Sequence, residues 1–252
     1  VGVKNINTDK EALLALKLHI THDPYNLLEA NWSNNSTSVC NWVGITCGSL
    51  HLRVIALDLS NMDLTGTIPP HLGNLSFLVS ISFLNNSFHG SLPKELAQLR
   101  RIKHFSFSRN YLSGEIPSWI GSFTQLEQLR LRLNNFTGII PTSLCNLSKL
   151  NVFDLSSNSL QGYIPQEIGN LRNLRIFYLD QNRLSGPIPF SIFNLSYLQQ
   201  IDLSINSLSG SIPFSIFNIS SLQLIDLSDN WLSGSIFVNN MSASSSLKQL
   251  DF

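Results

Sequence analysis

The stretch LNVFDLSSNSLQGYIPQEIGNL, residues 150–171, decides the fold. Phe153 and Leu155 alternate with polar neighbours, which is typical of a short strand with one buried face. Gly162 suits a backbone with positive φ or a close approach, and Pro165 lacks the N–H group that strand pairing needs. The stretch therefore predicts one short strand followed by a turn and a second apolar segment.

The same pattern recurs along the chain with a period of 24 residues. One glycine marks each of eight turns of the repeat, here called coils 1 to 8: Gly66, Gly90, Gly114, Gly138, Gly162, Gly186, Gly210 and Gly234. A single coil cannot bury its apolar side chains alone, so neighbouring coils must share a core. The sequence predicts an α/β repeat solenoid of stacked parallel strands, with Leu155, Leu179 and Leu203 aligned inside adjacent coils.

An asparagine recurs where the chain leaves each strand from coil 2 onwards: Asn86, Asn110, Asn134, Asn158, Asn182, Asn206 and Asn230. An amide side chain can donate to and accept from the backbone of a turn. We therefore expect an internal ladder of asparagines. Met62 takes this position in coil 1, so the ladder should begin one coil late.

The segment before the repeats has its own pattern. Thr8 and Glu11 form the sequence of a capping box, which predicts a short amphipathic helix running to about His19. Residues 23–24, Asp-Pro, should break this helix. The segment Trp32–Cys47 should cover the first coil as an apolar lid.

Three cysteines are present, and two of them, Cys40 and Cys47, are close enough in sequence to form a local disulfide. Closure of so short a loop contributes ~2.5 kcal/mol in the chain-entropy model. Cys145 lies about three strand steps, or roughly 14 Å, beyond the first coil, whereas bridged Cα atoms lie within about 7 Å. It is predicted to be a buried, inert thiol in the column that glycine occupies in other coils: Gly73, Gly121 and Gly169.

The carboxy-terminal end departs from the repeat. A ninth coil starts at Leu247, which is 25 residues after Leu222, and Phe237 stands where a proline is expected. No closing cysteine pair follows. We therefore expect the natural protein to continue beyond Phe252.

Composition excludes several classes of function. Lys plus Arg equals Asp plus Glu, and charged residues make up only 13% of the chain, so no global field favours nucleic acid or an anionic membrane. There is no apolar run of about 18 residues and no signal sequence. A membrane could be involved only through parts of the protein that this sequence lacks.

Ten sequons of the form N-x-[ST] begin at Asn31, Asn34, Asn35, Asn74, Asn85, Asn135, Asn146, Asn194, Asn218 and Asn240. Together with the cysteine pair they indicate the secretory pathway. We expect an extracellular glycoprotein.

These motifs resemble plant-type leucine-rich repeats. The resemblance rests on the L-x-G-x-I-P segment, on the ending Gly-Asn-Leu at residues 73–75 and 169–171, and on two cap motifs, residues 9–14 and Cys40–Cys47. It implies a right-handed superhelix with a parallel sheet on its concave face, a second strand along L-x-G-x-I, and a helical, disulfide-stapled cap. The expected domains are the cap, 1–53, and the repeats, 54–252.

Within that family the sequence is most similar to ectodomains of immune receptor-like kinases, which sense microbial peptides. Such proteins carry a membrane span and a cytoplasmic Ser/Thr kinase, neither of which is in this sequence. The resemblance implies peptide or protein ligands, with a co-receptor ectodomain as a further partner, on the extracellular face of the plasma membrane.

No pattern for catalysis or for a cofactor occurs. The close pair His19 and His22 has no Cys or Glu at metal-ligand spacing, so a solvated helix end explains it better than a metal site. Phosphate-binding and nucleophile-elbow motifs are absent from the sequence. We expect no enzyme, no cofactor and no metal.

The open sheet face is the candidate ligand site. Its exposed positions in coils 3, 4 and 6 are predicted to contact ligand: His104, Arg109, Arg130, Arg132, Tyr178, Asp180 and Gln181. Lys103 extends the basic patch. Asp154, Asp202 and Asp226 repeat within Asp-Leu-Ser and are better explained as solvated repeat residues. Eight strands at ~4.8 Å span roughly 34 Å, which fits about ten extended residues of a peptide.

Three functions compete. The first is a receptor ectodomain that binds an anionic peptide through Arg130 and Arg132. The second is a secreted inhibitor of a microbial polygalacturonase, since such inhibitors share this coil. The third is a scaffold or co-receptor that binds another ectodomain laterally, which a glycan at Asn85 beside the open face would favour.

Overall fold

The computed structural model describes residues 5–33, 38–212, 215, 219–234 and 248–251. It opens with helix α1 (Ile6–His19), strand β1 (Ile20–His22) and helix α2 (Leu27–Asn31). Stacked coils follow. Within this described part, no helix is long and apolar enough to cross a membrane.

Each coil contributes one strand to a ten-stranded sheet, here called the long sheet. Its pairs are parallel except β2–β3, which is antiparallel. The strands are β2 (Ile45–Cys47), β3 (Val54–Asp58), β5 (Ser80–Ser82), β7 (His104–Ser106), β9 (Gln128–Arg130), β11 (Val152–Asp154), β13 (Ile176–Tyr178), β15 (Gln200–Asp202), β17 (Leu224–Asp226) and β19 (Gln249–Asp251).

A second row of strands follows the L-x-G-x-I segments, as the family resemblance implied. It forms a five-stranded and a four-stranded sheet, here called the lateral sheets. Their strands are β1, β4 (Thr65–Thr67), β6 (Ser87–Gly90), β8 (Tyr111–Glu115) and β10 (Asn135–Thr137), then β12 (Gln161–Tyr163), β14 (Arg183–Gly186), β16 (Ser207–Ser211) and β18 (Trp231–Ser233).

Short 3-10 helices complete the coils after the prolines. Each begins directly after a proline N-cap, where the chain can no longer pair as a strand. They are η2 (Pro70–Asn74), η3 (Lys94–Gln98), η4 (Ser118–Ser122), η5 (Thr142–Asn146), η6 (Gln166–Asn170) and η7 (Phe190–Asn194), and η1 (Val39–Asn41) lies in the cap.

A continuous apolar core fills the coils. Leu155, Leu179 and Leu203 are fully buried, and their strands pair in register, with Phe153 opposite Phe177. The two phenylalanine rings stack at 5.6 Å between centroids. The predicted shared interior of neighbouring coils is confirmed.

The asparagine ladder is also confirmed. In coil 4, Asn134 Oδ1 accepts from the Leu112 N–H at 3.0 Å, and Nδ2 donates to the carbonyl oxygens of Phe107 and Leu131 at 2.9 and 3.1 Å. The ladder ties each coil to the one before it. It begins at Asn86, one coil late, as the methionine in coil 1 predicted.

The residue before each ladder asparagine adopts a left-handed backbone conformation, which the sequence analysis did not predict. These residues have φ between 52° and 57°: Asn85, Arg109, Leu133, Ser157, Gln181, Ile205 and Asp229. Asn61, which precedes Met62 in coil 1, has a φ of 59°. Such a φ is uncommon for residues other than glycine. The side-chain hydrogen bonds of the ladder stabilise the tight turn that requires it.

The predicted start of the first helix was wrong. Helix α1 begins at Ile6, because Asn5 and Thr8 form the capping box: Asn5 Oδ1 accepts from the Thr8 N–H at 3.3 Å, and Thr8 Oγ1 accepts from the Asn5 N–H at 3.2 Å. Its predicted end at His19 is confirmed. Asp23 does not end α1, because β1 lies between them; its carboxylate accepts hydrogen bonds from the N–H groups of Leu27 and Leu28 in the first turn of α2.

The cap is joined to the repeats by packing and by a buried ion pair. Trp32 and Trp42 are buried and stack at 5.4 Å. Asp9 is fully buried and receives Arg53 Nε and Nη2 at 2.8 and 2.6 Å, as well as the Val54 N–H at 3.0 Å. One helix residue thereby holds the first strand of the repeats.

The cysteine predictions are confirmed. Cys40 and Cys47 form a disulfide with Cα atoms 5.4 Å apart. Cys145 is a free, buried thiol, and burial raises its pKa to about 12. The predicted departures at Phe237 and Leu247 lie outside the described residues.

Candidate ligand-binding face

The face of the long sheet that points away from the core, here called the open face, brings side chains of successive coils side by side. Arg130 lies between Ser106 and Asp154, and Tyr178 lies between Asp154 and Asp202, because the paired strands are in register. Neighbouring strands are ~4.8 Å apart. The basic and the acidic residues predicted from the sequence are therefore adjacent on one surface.

A shallow hollow of about 490 Å³ lies on coils 2 to 4 of the open face. His104, Gln128 and Arg130 line it, together with small serine side chains. Arg130 Nη1 donates to Gln128 Oε1 at 2.5 Å, which orients the guanidinium. The hollow can therefore accept a polar segment against an oriented cation.

Arg132 lies beyond Arg130 and has unused hydrogen-bonding capacity. Its Nε is buried without a hydrogen-bond partner among the described residues, a state that is costly unless a ligand or water satisfies it. Burial raises the pKa of Tyr178 and of Asp180, and the positive charge of Arg132 opposes this rise. Lys103, by contrast, forms an ion pair with Glu127 at 2.9 Å and so is already neutralised.

The acidic residues within Asp-Leu-Ser are held by the serine two positions later. Asp154 Oδ1 accepts from the N–H and the hydroxyl of Ser156 at 3.2 and 2.6 Å. The same local motif recurs at Asp58–Ser60, Asp202–Ser204 and Asp226–Ser228. It stabilises the turn after the strand, which gives these aspartates a structural role.

Coil 6 inverts this arrangement. Tyr178 stands where coils 1, 5, 7 and 8 have aspartate, and Asp180 stands where those coils have serine. Burial raises the pKa of Asp180 to about 6, helped by the charges of Asp202 and Asp154 and opposed by the charge of Arg132 and by a hydrogen bond from the Asp180 backbone N–H. Asp180 is only 9% exposed.

The neighbours of Asp180 share its electrostatic environment. Burial, followed by the nearby aspartates, raises the pKa of Tyr178, whose hydroxyl donates to Gln200 Oε1. Burial also raises the pKa of Asp202, although two hydrogen bonds from Ser204 oppose the shift. Coils 5 to 7 thus carry an excess of negative charge on side chains that are partly removed from solvent.

Two of the predicted ligand contacts lie at the edge of the open face. Arg109 and Gln181 occupy the left-handed position before the ladder asparagines. Arg109 lines a lateral groove of about 380 Å³ with Tyr111 and Leu133, and Gln181 accepts from the Ser157 hydroxyl at 3.1 Å. They therefore border the site and do not lie at its centre.

The sequons occupy several different surfaces. Asn85 and Asn135 are exposed and line the lateral groove beside the open face. Asn146 and Asn194 are exposed at the ends of 3-10 helices, and Asn74 is half-buried there. The Asn31 side chain is exposed, and its Oδ1 accepts from the Val43 N–H at 2.6 Å. Four further sequons lie outside the described residues: Asn34, Asn35, Asn218 and Asn240.

The centre of the candidate site is thus Arg130, Arg132, Tyr178 and Asp180, with His104 in the hollow. Sequence reasoning missed the contribution of Asp154 and Asp202, which it treated as repeat residues only. Alignment of the strand columns across coils would have shown that both flank coil 6. Among the residues described, no group of three or more His, Cys, Asp or Glu side chains could hold a metal ion.

Comparisons with known families agree with this architecture. The model described as "Leucine rich repeat N-terminal domain" matches residues 6–48. Repeat models described as "Leucine rich repeat" match residues 124–184 and the segments 53–75, 101–123 and 197–219.

Similar proteins are plant receptor kinases. The LRR receptor-like serine/threonine-protein kinase EFR of Arabidopsis thaliana is 44% identical over 80 residues, which are 32% of this chain and 8% of that protein. The solved LRR ectodomain of GASSHO1/SCHENGEN3 from Arabidopsis thaliana, in complex with CASPARIAN STRIP INTEGRITY FACTOR 2, has a TM-score of 0.87 at 32% identity and covers 97% of this chain. The match spans 29% of that ectodomain.

A third similar structure contains both a peptide and a co-receptor. It is the Arabidopsis receptor kinase HAESA in complex with the peptide hormone IDA and the co-receptor SERK1, with a TM-score of 0.74 at 32% identity, over 96% of this chain and 44% of that one. The matched parts of these relatives are repeat ectodomains, and catalysis in such kinases lies outside the region that corresponds to this chain. The chain belongs to the leucine-rich-repeat proteins and is homologous to the amino-terminal part of plant receptor-kinase ectodomains.

Proposed function

We propose that this chain is the extracellular ligand-recognition part of a plant receptor kinase, and that its open face binds a peptide with anionic groups through Arg130 and Arg132. The finer proposal, that the ligand is a microbial peptide sensed in plant immunity, is supported by the similarity to EFR.

The observation that carries this proposal is the state of the two arginines. Arg130 is oriented by Gln128, and Arg132 has a buried Nε without a partner within the described part of the chain. Guanidinium groups bind carboxylates through paired, charge-assisted hydrogen bonds. Two such groups from one strand and the turn that follows it form a ready anchor for an acidic side chain or a carboxyl terminus.

Peptide selection tests the proposal and does not require the natural ligand to be identified first. Random displayed peptides of about twelve residues, enough to cross the long sheet, are selected on the immobilised chain. The selected peptides are then titrated against the double variant Arg130→Ala/Arg132→Ala. We expect enrichment of acidic peptides and a loss of affinity of at least about tenfold in the variant.

A matched control removes the same charge elsewhere. Arg172 and Arg183 are exposed and lie away from the open face, after η6 and in β14, so Arg172→Ala/Arg183→Ala should leave the affinity unchanged. Equal affinity of the selected peptides for wild type and for the Arg130→Ala/Arg132→Ala variant would reject the arginine anchor.

Lateral binding of another ectodomain is a second candidate function. Ile139 and Tyr163 are 61% and 68% exposed on neighbouring coils beside the lateral sheets, and large exposed apolar side chains in a row are typical of protein contact sites. Ile139→Ser/Tyr163→Ser should then abolish co-precipitation with a co-receptor ectodomain while peptide binding persists. Retained co-precipitation would exclude this surface.

A further inference from the structure

Asp180 differs from Asp154 and Asp202 in lacking a serine partner, and the hydrogen bond to its carboxylate comes from its own backbone N–H. Asp154 and Asp202 each accept two hydrogen bonds from the serine two positions later. In coil 6 the aspartate itself takes the serine position, and among the described residues no side chain donates to its carboxylate. The carboxylate of a residue that is 9% exposed is therefore held by a backbone hydrogen bond and by no side-chain donor within the described part of the chain.

The charges around Asp180 do not neutralise it. Asp154 and Asp202 are the strand partners of Tyr178 on the two neighbouring strands, and the charges of both reach Asp180, two residues beyond Tyr178. Arg132 is the cation whose charge reaches the cluster, but in the described part of the chain it forms no ion pair with any of these carboxylates. Three carboxylates thus face one guanidinium.

The spacing of the cluster favours an organic cation over a metal ion. The two flanking aspartates are about two strand steps apart, roughly 10 Å, whereas calcium requires oxygen ligands within ~2.6 Å of the ion. Within the described ranges, no three carboxylates lie close enough together to hold a metal ion. An ammonium or guanidinium group with several donors can instead bridge carboxylates on adjacent strands.

We propose that Asp180, flanked by Asp154 and Asp202, binds a cationic group of the ligand, so that the ligand is a peptide with segregated charges. Its acidic part lies on coil 4 at Arg130 and Arg132, and its basic part lies on coils 5 to 7. This inference rests on the proposed function of the open face as a peptide-binding surface.

The raised pKa of Asp180 supports this assignment. Burial raises the pKa of Asp180 to about 6, and a bound cation would lower it again. The groups that face it are Asp154, Asp202, Tyr178 and Arg132. Because a protonated carboxyl no longer attracts a cation, binding of a basic peptide should weaken as the pH falls through about 6.

Calorimetric titration with defined peptides tests the subsite. The probes are extended peptides of about twelve residues: one entirely acidic, one entirely basic and one with an acidic and a basic half, all with blocked ends, and the acidic peptide again with a free amino terminus. Wild type is compared with Asp180→Asn, which keeps the shape of the side chain. Asp58→Asn is the matched control, since Asp58 has the same local motif but lies in coil 1, far from the cluster.

We expect Asp180→Asn to weaken the basic and the mixed peptide by about tenfold or more and to leave the blocked acidic peptide unchanged. Weakening of the acidic peptide with a free amino terminus would identify an ammonium group as the bound cation, and weakening of the basic peptide alone would identify side chains. Asp58→Asn should change none of these affinities. For wild type, the basic peptide should bind more weakly at about pH 5 than at about pH 7.5.

The inference is overturned if Asp180→Asn binds every peptide within about twofold of wild type, or if the basic peptide does not bind the wild type. A different result would show that the proposed binding of peptides through Arg130 and Arg132 is wrong. In that case the blocked acidic peptide keeps its affinity in Arg130→Ala/Arg132→Ala, whatever the effect of Asp180→Asn.

Discussion

At the scale of single residues, Tyr178 and Asp180 replace the aspartate and serine of the local motif in coil 6, which separates a structural carboxylate from a functional one. Asp154 accepts two hydrogen bonds from the serine in its own turn, whereas the charge of Asp180 is influenced by Asp154, Asp202 and Arg132 from other coils. Buried groups with shifted pKa values cluster at functional sites because desolvation is tolerated there for the sake of binding. The local sequence around Asp180 carries no sign of this environment.

The burial of Asp180 predicts a dependence of stability on pH. Its pKa is raised to about 6 in the folded chain, so the folded state binds the proton more tightly than the unfolded state does. Above about pH 6 the buried charge of Asp180 lowers the free energy of unfolding. This loss disappears as the pH falls below 3.8, the ordinary pKa of an aspartate. Asp180→Asn should therefore be more stable than wild type by roughly 1–3 kcal/mol at about pH 7.5, measured by urea unfolding. A gain that is equally large at about pH 3 would contradict the shift.

The buried ion pair of the cap predicts a large loss of stability. Asp9→Ala leaves the Arg53 guanidinium buried without its carboxylate and removes the acceptor of the Val54 N–H. We expect a loss of about 3–5 kcal/mol in the free energy of unfolding. Glu11→Ala, on the exposed side of the same helix, is the control and should change stability by less than about 0.5 kcal/mol. Equal stability of the two variants would show that the ion pair is dispensable.

At the scale of elements, the asparagine ladder connects sequence and structure most directly. Asn134→Ala should cost about 2–4 kcal/mol, because the Leu112 N–H and two carbonyl oxygens lose their buried partner. Denaturant unfolding measures this loss. Asn151, half-buried directly before β11, provides the control: Asn151→Ala should leave the midpoint unchanged, and a comparable fall in both variants would refute a specific role of the ladder.

The elements that could be predicted are those whose sequence pattern recurs in every coil. The strand after Leu150, the asparagine ladder and the buried thiol of Cys145 all follow from columns that recur every 24 residues. The start of α1 could not be predicted as well, because Asn5 and Thr8 both suit a helix cap and only the hydrogen bonds decide between them. Strand β1 pairs with a coil that follows it by more than forty residues, as Ile20 with Gly66, which no local pattern reveals.

The sequence predicted which residues belong to the candidate site better than it predicted their pKa values and charge interactions. Alternation along each strand placed Arg130 and Tyr178 on the open face. The left-handed turn that moves Arg109 and Gln181 to the edge was not anticipated, because residues of very different type occupy it. The pKa of Asp180 depends on carboxylates about 22 and 26 residues away in sequence that packing brings together.

At the scale of the whole molecule, a chain with no net charge carries a strongly uneven distribution on one face. Coils 3 and 4 present His104, Arg130 and Arg132, whereas coils 5 to 8 present aspartates in each strand or the turn that follows. Such a surface orients an approaching peptide by its charges before close contact forms. The stacked core makes this possible, since it holds the strands in register over the whole row.

The crystal structure of the chain bound to its tightest selected peptide tests the central claim most directly. We predict an extended peptide across the open face of coils 3 to 7, with a carboxylate in a salt bridge with Arg130 or Arg132 and a cationic group beside Asp180. A peptide bound to the lateral sheets or to the 3-10 helices, with the open face empty, would contradict the account.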